Sequence, residues 1–260
     1  MIRARAMPQA LAALLGAISL VPLHAQAAET ATAVPDARSQ APLDFTGYWV
    51  SLVTEDWRFR MMVADPGDTE SIPLNPEGVR AAAAWNPQQA RAASDEACRA
   101  FGAGEIMRIP GRLHISWQDA NTLKIETDSG TQTRLLHFGG RAATSEAPTW
   151  QGYSVANWQG LTPQRRGVDL SKKEGYLQVT TTALRPGYLR TNGVPYGADT
   201  QLLEYFDSFK EANGDEYLVV TTVVNDAQYL TQPFVTSSHF RKLPDATGWD
   251  PTPCRAGEPR

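Results

Sequence analysis

The chain has 260 residues, 42% of them hydrophobic and 20% charged, with a formal net charge of −4. That length holds one large domain or two small ones. The dispersed acidic balance leaves no electrostatic footprint for nucleic acid and argues against an anionic membrane surface as a partner.

At the N-terminus Arg3 and Arg5 form a short positive region, and "ALAALLGAISLVPL" supplies an apolar run at 10–23. Ala25 and Ala27 then put small residues at positions −3 and −1 of a cleavage site. Residues 1–27 read as a secretory signal peptide, its apolar run too short, and too broken by Pro22, to span a bilayer. Cleavage would take the net charge from −4 to −6 and deliver the mature protein to the periplasm or outside the cell, without membrane insertion. "ETATAVPDARSQ" is polar and featureless, so 28–42 reads as a flexible leader before a single domain at 43–260. Only two cysteines occur, Cys98 and Cys254. In an oxidising compartment they read as one disulfide clamping the C-terminal tail to an early helix. The bridge would close a loop of roughly 155 residues, worth up to about 5 kcal/mol in chain entropy.

Along the chain, "GYWVSLV" (47–53) and "WRFRMMV" (57–63) read as the first two strands. The stretch 66–104 changes character. "NPEGVRAAAAW" and "NPQQARAASDEACRAFGAG" both open with Asn-Pro, the N-cap and first-turn pair, and both are alanine-rich. They predict a two-helix insertion between 75 and 102, with Cys98 on the second helix. A meander follows at 112–118, 122–128 and 132–138. Further strands are expected at 149–159, 175–184, 200–210, 216–225 and 234–242, with a hairpin turn at Asn213-Gly214. About ten short strands rich in Thr, Val and aromatics make the fold mainly β: a single antiparallel barrel, or a sandwich, with a helical insertion.

"DFTGYW" (44–49) resembles the Gly-X-Trp signature that opens lipocalin and other calycin-type barrels. The resemblance implies a Trp packed across the closed end of a barrel under an Arg of the last strand, places that Trp49 and Arg241 would take. "TWQGYSVANW", "LLEYFDSF" and "NDAQYLTQPFVTSSHF" resemble a widespread group of exported bacterial proteins of uncharacterised function. That likeness spans roughly 105–242, implies a β-rich exported fold and carries no reaction with it.

The meander gives the sharpest geometric expectation. With three-residue turns at 119–121 and 129–131, Leu113, Ile115 and Trp117 share a face with Leu123, Ile125 and Leu135. His114, Glu126 and Arg134 then form a row on the other face. A carboxylate beside histidine orients it for acid–base work, so these three are the catalytic candidates. The competing reading is a charge ladder on a solvent face. His114, His137 and His239 follow the signal peptide in no metal-ligand spacing. No nucleophile elbow, phosphate loop or dinucleotide fingerprint occurs, so no metal and no cofactor is expected.

Arg58 and Arg60 in "WRFRM" would face away from Trp57, Phe59 and Met61, at a barrel mouth or in solvent. "RPGYLRTNGVPYG" (185–197) carries two turn formers around Tyr188, Arg190 and Tyr196, and reads as an ordered loop at a barrel end. It either grips a ligand or covers the core. Together with Trp117 these residues, Arg58, Arg60, Tyr188, Arg190 and Tyr196, are the ligand-binding candidates. The leading expectation is an exported barrel holding a small, partly apolar molecule in its interior, with arginines suited to an anionic end. The alternatives are a cofactor-independent lyase, isomerase or hydrolase built on His114 and Glu126, and a structural partner in the cell envelope. The direction of the polar meander face discriminates them. A row pointing into a cavity favours the enzyme, and a row pointing outward removes its support.

Overall fold

The computed structural model describes residues 36–92, 96–140, 147–160 and 175–255. The signal-peptide reading, most of the leader and the basic loop at 161–174 lie outside the described residues. The strands are β1 Gly47–Leu52, β2 Arg112–Asp119, β3 Thr122–Thr127, β4 Ser129–Gly130, β5 Thr133–Phe138, β6 Tyr153–Gly160, β7 Gly175–Thr182, β8 Gly187–Arg190, β9 Val194–Tyr196, β10 Gln201–Lys210, β11 Glu216–Asn225, β12 Phe234–Leu243 and β13 Thr252–Pro253. The helices are α1 Ala37–Gln40, α2 Trp57–Met61, α3 Pro76–Ala83 and α4 Pro87–Ala92.

Nine strands close into a barrel in the order β1-β12-β11-β10-β7-β6-β5-β3-β2. Directions cannot alternate all the way round an odd ring, so one neighbouring pair must be parallel. That seam is β5–β6, with Leu136 opposite Ser154; every other pair in the ring is antiparallel. The expected antiparallel barrel is therefore antiparallel save at this seam. Two small pairs lie outside the ring: the hairpin β8–β9, and β4 with the tail strand β13.

Period-two alternation fills the lumen with side chains. Trp49, Ile125, Leu136, Ala156, Leu177, Val179, Leu218 and Phe240 are buried there. Aromatic side chains close one end: Phe45 stacks on Trp158 at 5.9 Å, Phe138 meets Trp158 at 5.3 Å and Trp117 at 5.5 Å. The last part of the stretch read as a leader belongs to this closure. Asp36 caps α1 by accepting from the Ser39 amide, and the Ala37 carbonyl accepts the Trp158 indole N–H at 2.8 Å. Trp49 donates its indole N–H to the Phe45 carbonyl at 2.8 Å. The cation over it is Lys242, at 5.1 Å, and not Arg241. Phe240 and Lys242 share the inner side of β12, while Arg241 points outward.

Two local expectations are corrected. "WRFRM" is helical, not extended. Asp56 adopts a left-handed φ of 53°, and its carbonyl accepts from the Phe59 and Arg60 amides. Adjacent Phe59 and Arg60 are consequently both buried, while Trp57 is 64% exposed. In the meander, β5 is one residue out of the expected register: Arg134 opposes Ile125, and Thr133 opposes Glu126. The connection at 128–132 is longer than a three-residue turn because it also forms β4 against the tail and passes through positive φ at Gly130 and Thr131. A one-residue slip exchanges faces, so Arg134 and Leu136 point inward and Leu135 outward.

The insertion caps the other end. Asn75 accepts from the amides of Glu77 and Gly78, and Asn86 from those of Gln88 and Gln89, so both Asn-Pro pairs open helices. Cys98 lies beyond α4, directly before a 3₁₀ turn at Arg99–Phe101. It is bonded to Cys254, with a sulfur–sulfur distance of 2.06 Å. The Gln132 amide donates to both sulfurs.

Candidate functional site

The cap end is where polar chemistry collects. The hairpin β8–β9 turns at Asn192-Gly193, with Gly193 at φ +86°. A Cβ at Gly193 would lie 2.0 Å from Cγ of Trp85, so glycine lets the indole pack close against the turn. Tyr196 is fully buried, and a Cβ at Gly187 or Gly102 would come within 2.5 Å of its ring or hydroxyl. Among the described residues its hydroxyl has no hydrogen-bond partner, and burial pushes its pKa far above the usual phenol value, against the weaker pull of Arg99 and Arg134.

Arg190 is also buried. It donates to the Glu70 carbonyl at 2.7 Å and to Ser71 Oγ at 2.8 Å, and lies 3.6 Å over the Phe59 ring. Asn192 donates to the carbonyls of Asp65 and Asp68. Together they lash the 65–71 loop onto the hairpin. Beside them Arg60 pairs with Glu55 and donates to the Arg108 carbonyl at 2.8 Å, and Arg108 pairs with Asp56 and with Glu105. Burial first, and then the neighbouring Arg108 charge, lower the pKa of Arg60 and Arg190, although Glu55 offsets part of the effect at Arg60. Arg58 is exposed, bridging Asp68 and Glu70.

Between α3, α4, the 96–100 segment and the hairpin lies a cleft of about 360 Å³. Trp85 and Tyr188 meet edge to face there, with centroids 6.5 Å apart. Arg99 lies 4.5 Å over the Tyr188 ring. Glu96 holds Arg99 at 3.2 Å with one carboxylate oxygen and Arg185 at 3.3 Å with the other. Arg185 in turn stacks on Trp150 at 4.0 Å. Desolvation raises the Tyr188 pKa against the pull of Arg99. Of the six expected ligand-binding residues, Tyr188 alone lines this cleft. Trp117, the sixth candidate, belongs to the closed aromatic end.

The expected catalytic row is split. His114 Nδ1 lies 3.0 Å from Glu126, but on the outer face of the barrel, with its ring stacked on Tyr48 at 4.3 Å. Lys124 also bonds Glu126 at 2.9 Å. Desolvation acts to raise the Glu126 pKa, but the hydrogen bonds from Lys124 and His114 outweigh it, and the carboxyl lies below its ordinary value. Arg134 is inside the barrel, gripped by both Glu204 oxygens at 2.6 and 3.0 Å and bonded to Thr181 at 3.3 Å. This buried pair was legible in principle: in "LLEYF" alternation puts Glu204 on the same face as Leu202 and Phe206, and an inward glutamate needs a cation.

Sequence reasoning also missed a cluster at the end of β1. His239 Nδ1 approaches Thr54 Oγ1 at 3.0 Å and Glu55 at 3.2 Å. Both groups meet the same ring nitrogen, so the cluster lacks the hydroxyl–imidazole–carboxylate relay of a nucleophile. A shallow hollow of about 400 Å³ lies on the outer face of β7, β10 and β11, framed by Tyr176, Tyr205 and Phe209. Among the described residues no group of three or more His, Cys, Asp or Glu is placed to hold a metal.

Comparison with known proteins adds no relative: no family model matches the chain, and neither curated proteins nor solved structures show a significant match. The closed barrel is consistent with the barrel likeness of "DFTGYW" in architecture alone.

Proposed function

We propose that this protein binds a small, partly apolar molecule in the cleft between the helical insertion and the β8–β9 hairpin. The observation that carries the reading is the cleft itself, about 360 Å³ with Trp85, Tyr188 and the Arg99–Glu96 pair converging on it. That size and mixture of aromatic walls with a few polar groups is what small-ligand sites share. The lumen, where an interior ligand was expected, is filled by side chains such as Trp49, Leu136, Leu177 and Phe240. The outward face of His114 and Glu126 leaves the acid–base reading without support. We also propose that the protein is exported, which the bonded Cys98–Cys254 pair supports.

Native mass spectrometry of protein isolated from its own cells tests the binding reading. A retained small molecule should be lost in Tyr188→Ala, with the melting temperature nearly unchanged, and kept in Tyr205→Ala on the outer hollow. A protein that carries no molecule, or keeps it in Tyr188→Ala, contradicts the assignment. Intact mass of the same sample tests export: the chain should begin at Ala28, and retention of residues 1–27 would refute it.

A further inference from the structure

Resting on the reading of the cleft as a ligand site, we propose that its ligand is a planar aromatic acid: one or two rings bearing a carboxylate or similar monoanion. Shape is the first argument. Five alanines, Ala81, Ala84, Ala90, Ala97 and Ala100, face the cleft with Gly193 and Pro195, so much of the wall is short and smooth. The aromatic walls are held rigidly. Trp85 is pressed on the Gly193 turn, and Tyr188 is pinned between Trp85 and the Arg99 guanidinium. Aromatic and short side chains lining one cleft offer a surface on which a flat ring can stack. A branched or puckered molecule leaves part of that surface uncovered.

Charge is the second argument. Among the described residues, the charged side chains lining the cleft are Glu96 and Arg99. Glu96 has given one oxygen to Arg99 and the other to Arg185. Among the described residues, one carboxylate shared by two guanidiniums leaves positive charge in excess, and both of its oxygens already have a guanidinium partner. The Arg99 side chain is about a third exposed (31%) at the cleft. A ligand cation would meet only a carboxylate already doubly paired, whereas a ligand anion completes the coordination of the arginines.

The test measures affinity by tryptophan fluorescence or calorimetry for four probes: 2-naphthoate, 2-naphthalenemethanol, 2-naphthylmethylammonium and decanoate. Naphthoate should bind about tenfold or more tightly than the alcohol and the ammonium, and more tightly than the flexible anion decanoate. Arg99→Gln should bring the naphthoate-to-alcohol ratio toward one, and Arg99→Lys should retain part of it. Thermal melting of each variant verifies folding. Equal binding of naphthoate and alcohol would overturn the anionic class while leaving the cleft a ligand site. Decanoate binding tighter than naphthoate would overturn planarity. If no probe binds although protein from its own cells carries a molecule lost in Tyr188→Ala, the ligand class is wrong and the site is right. If no probe binds and no molecule is carried, both fall.

Discussion

At one end of the barrel Phe45, Phe138 and Trp158 meet under α1, whereas at the other Arg60 and Arg108 are tied to Glu55, Asp56 and Glu105 across loops. The aromatic end closes by non-directional contact, which tolerates small shifts and excludes water without leaving donors unmet. The cap end closes by directional pairs, two of them local and one, Arg108–Asp56, joining segments 52 residues apart. Directional pairing is harder to complete, and Arg60 Nη2, Arg190 Nε and Nη1, and the Tyr196 hydroxyl are buried there without partners among the described residues. The open cleft lies on the same side, against the same hairpin. A ligand site therefore sits where packing is built from loops and polar groups, and the opposite end serves as the fixed base.

Substitutions can break this contrast, and the largest effect is expected in the lumen on the cap side. Arg134→Ala leaves Glu204 as an uncompensated buried charge and should cost about 3–5 kcal/mol in urea denaturation. The pair Arg134→Met with Glu204→Leu should recover most of that loss, because an apolar pair fills the space without stranding a charge. A loss below about 1 kcal/mol for Arg134→Ala would mean that water reaches the pair.

Next comes the disulfide, which joins the cleft wall at Cys98 to the tail strand. Cys98→Ser should lower stability by about 2–5 kcal/mol, and non-reducing peptide mapping should recover a Cys98–Cys254 linkage. Two free thiols would remove the clamp from the account.

Tyr196→Phe sharpens the comparison in the opposite direction. Removing a buried hydroxyl that has no partner should stabilise the protein by about 1 kcal/mol. Its pKa is raised by folding, so the unfolded chain ionises first and stability falls as pH rises above the unfolded phenol value of about 10. The wild type should lose stability faster than Tyr196→Phe on moving from pH 9 to pH 11. A destabilised phenylalanine variant would reveal a bound water or ligand on that hydroxyl.

The smallest effect is expected on the outer face. Glu126→Gln removes half-exposed contacts to His114 and Lys124, and exposed pairs contribute about 0–1 kcal/mol. The native Glu126 carboxyl lies below its ordinary pKa, so its contribution holds above about pH 4.5 and is lost as pH falls further. A large change in ligand retention in this variant would reinstate the meander as a functional face.

Alternation in "EYLVVTTVVN" and "LLEYFDSFK", the two Asn-Pro helix starts and the lone pair of cysteines are local or compositional signals. They carried the β-rich class, the helical insertion and the Cys98–Cys254 pairing. The loop 185–197 was legible as ordered, because its prolines and glycines restrict the backbone before any contact forms. Three things had no local signal. "WRFRM" alternates like a strand, yet the turn at Asp56 and the burial of both Phe59 and Arg60 made it a helix. Arg134 changed faces because the 128–132 connection also pairs with a tail more than a hundred residues away in sequence. The cleft needed Trp85, Arg99 and Tyr188 to meet from three separate segments. The sequence alone determined the strands of the barrel and the two helices that open on Asn-Pro. Tertiary structure decided register, facing and the site, because one residue of slip or one distant contact redirects a side chain while leaving the local pattern unchanged.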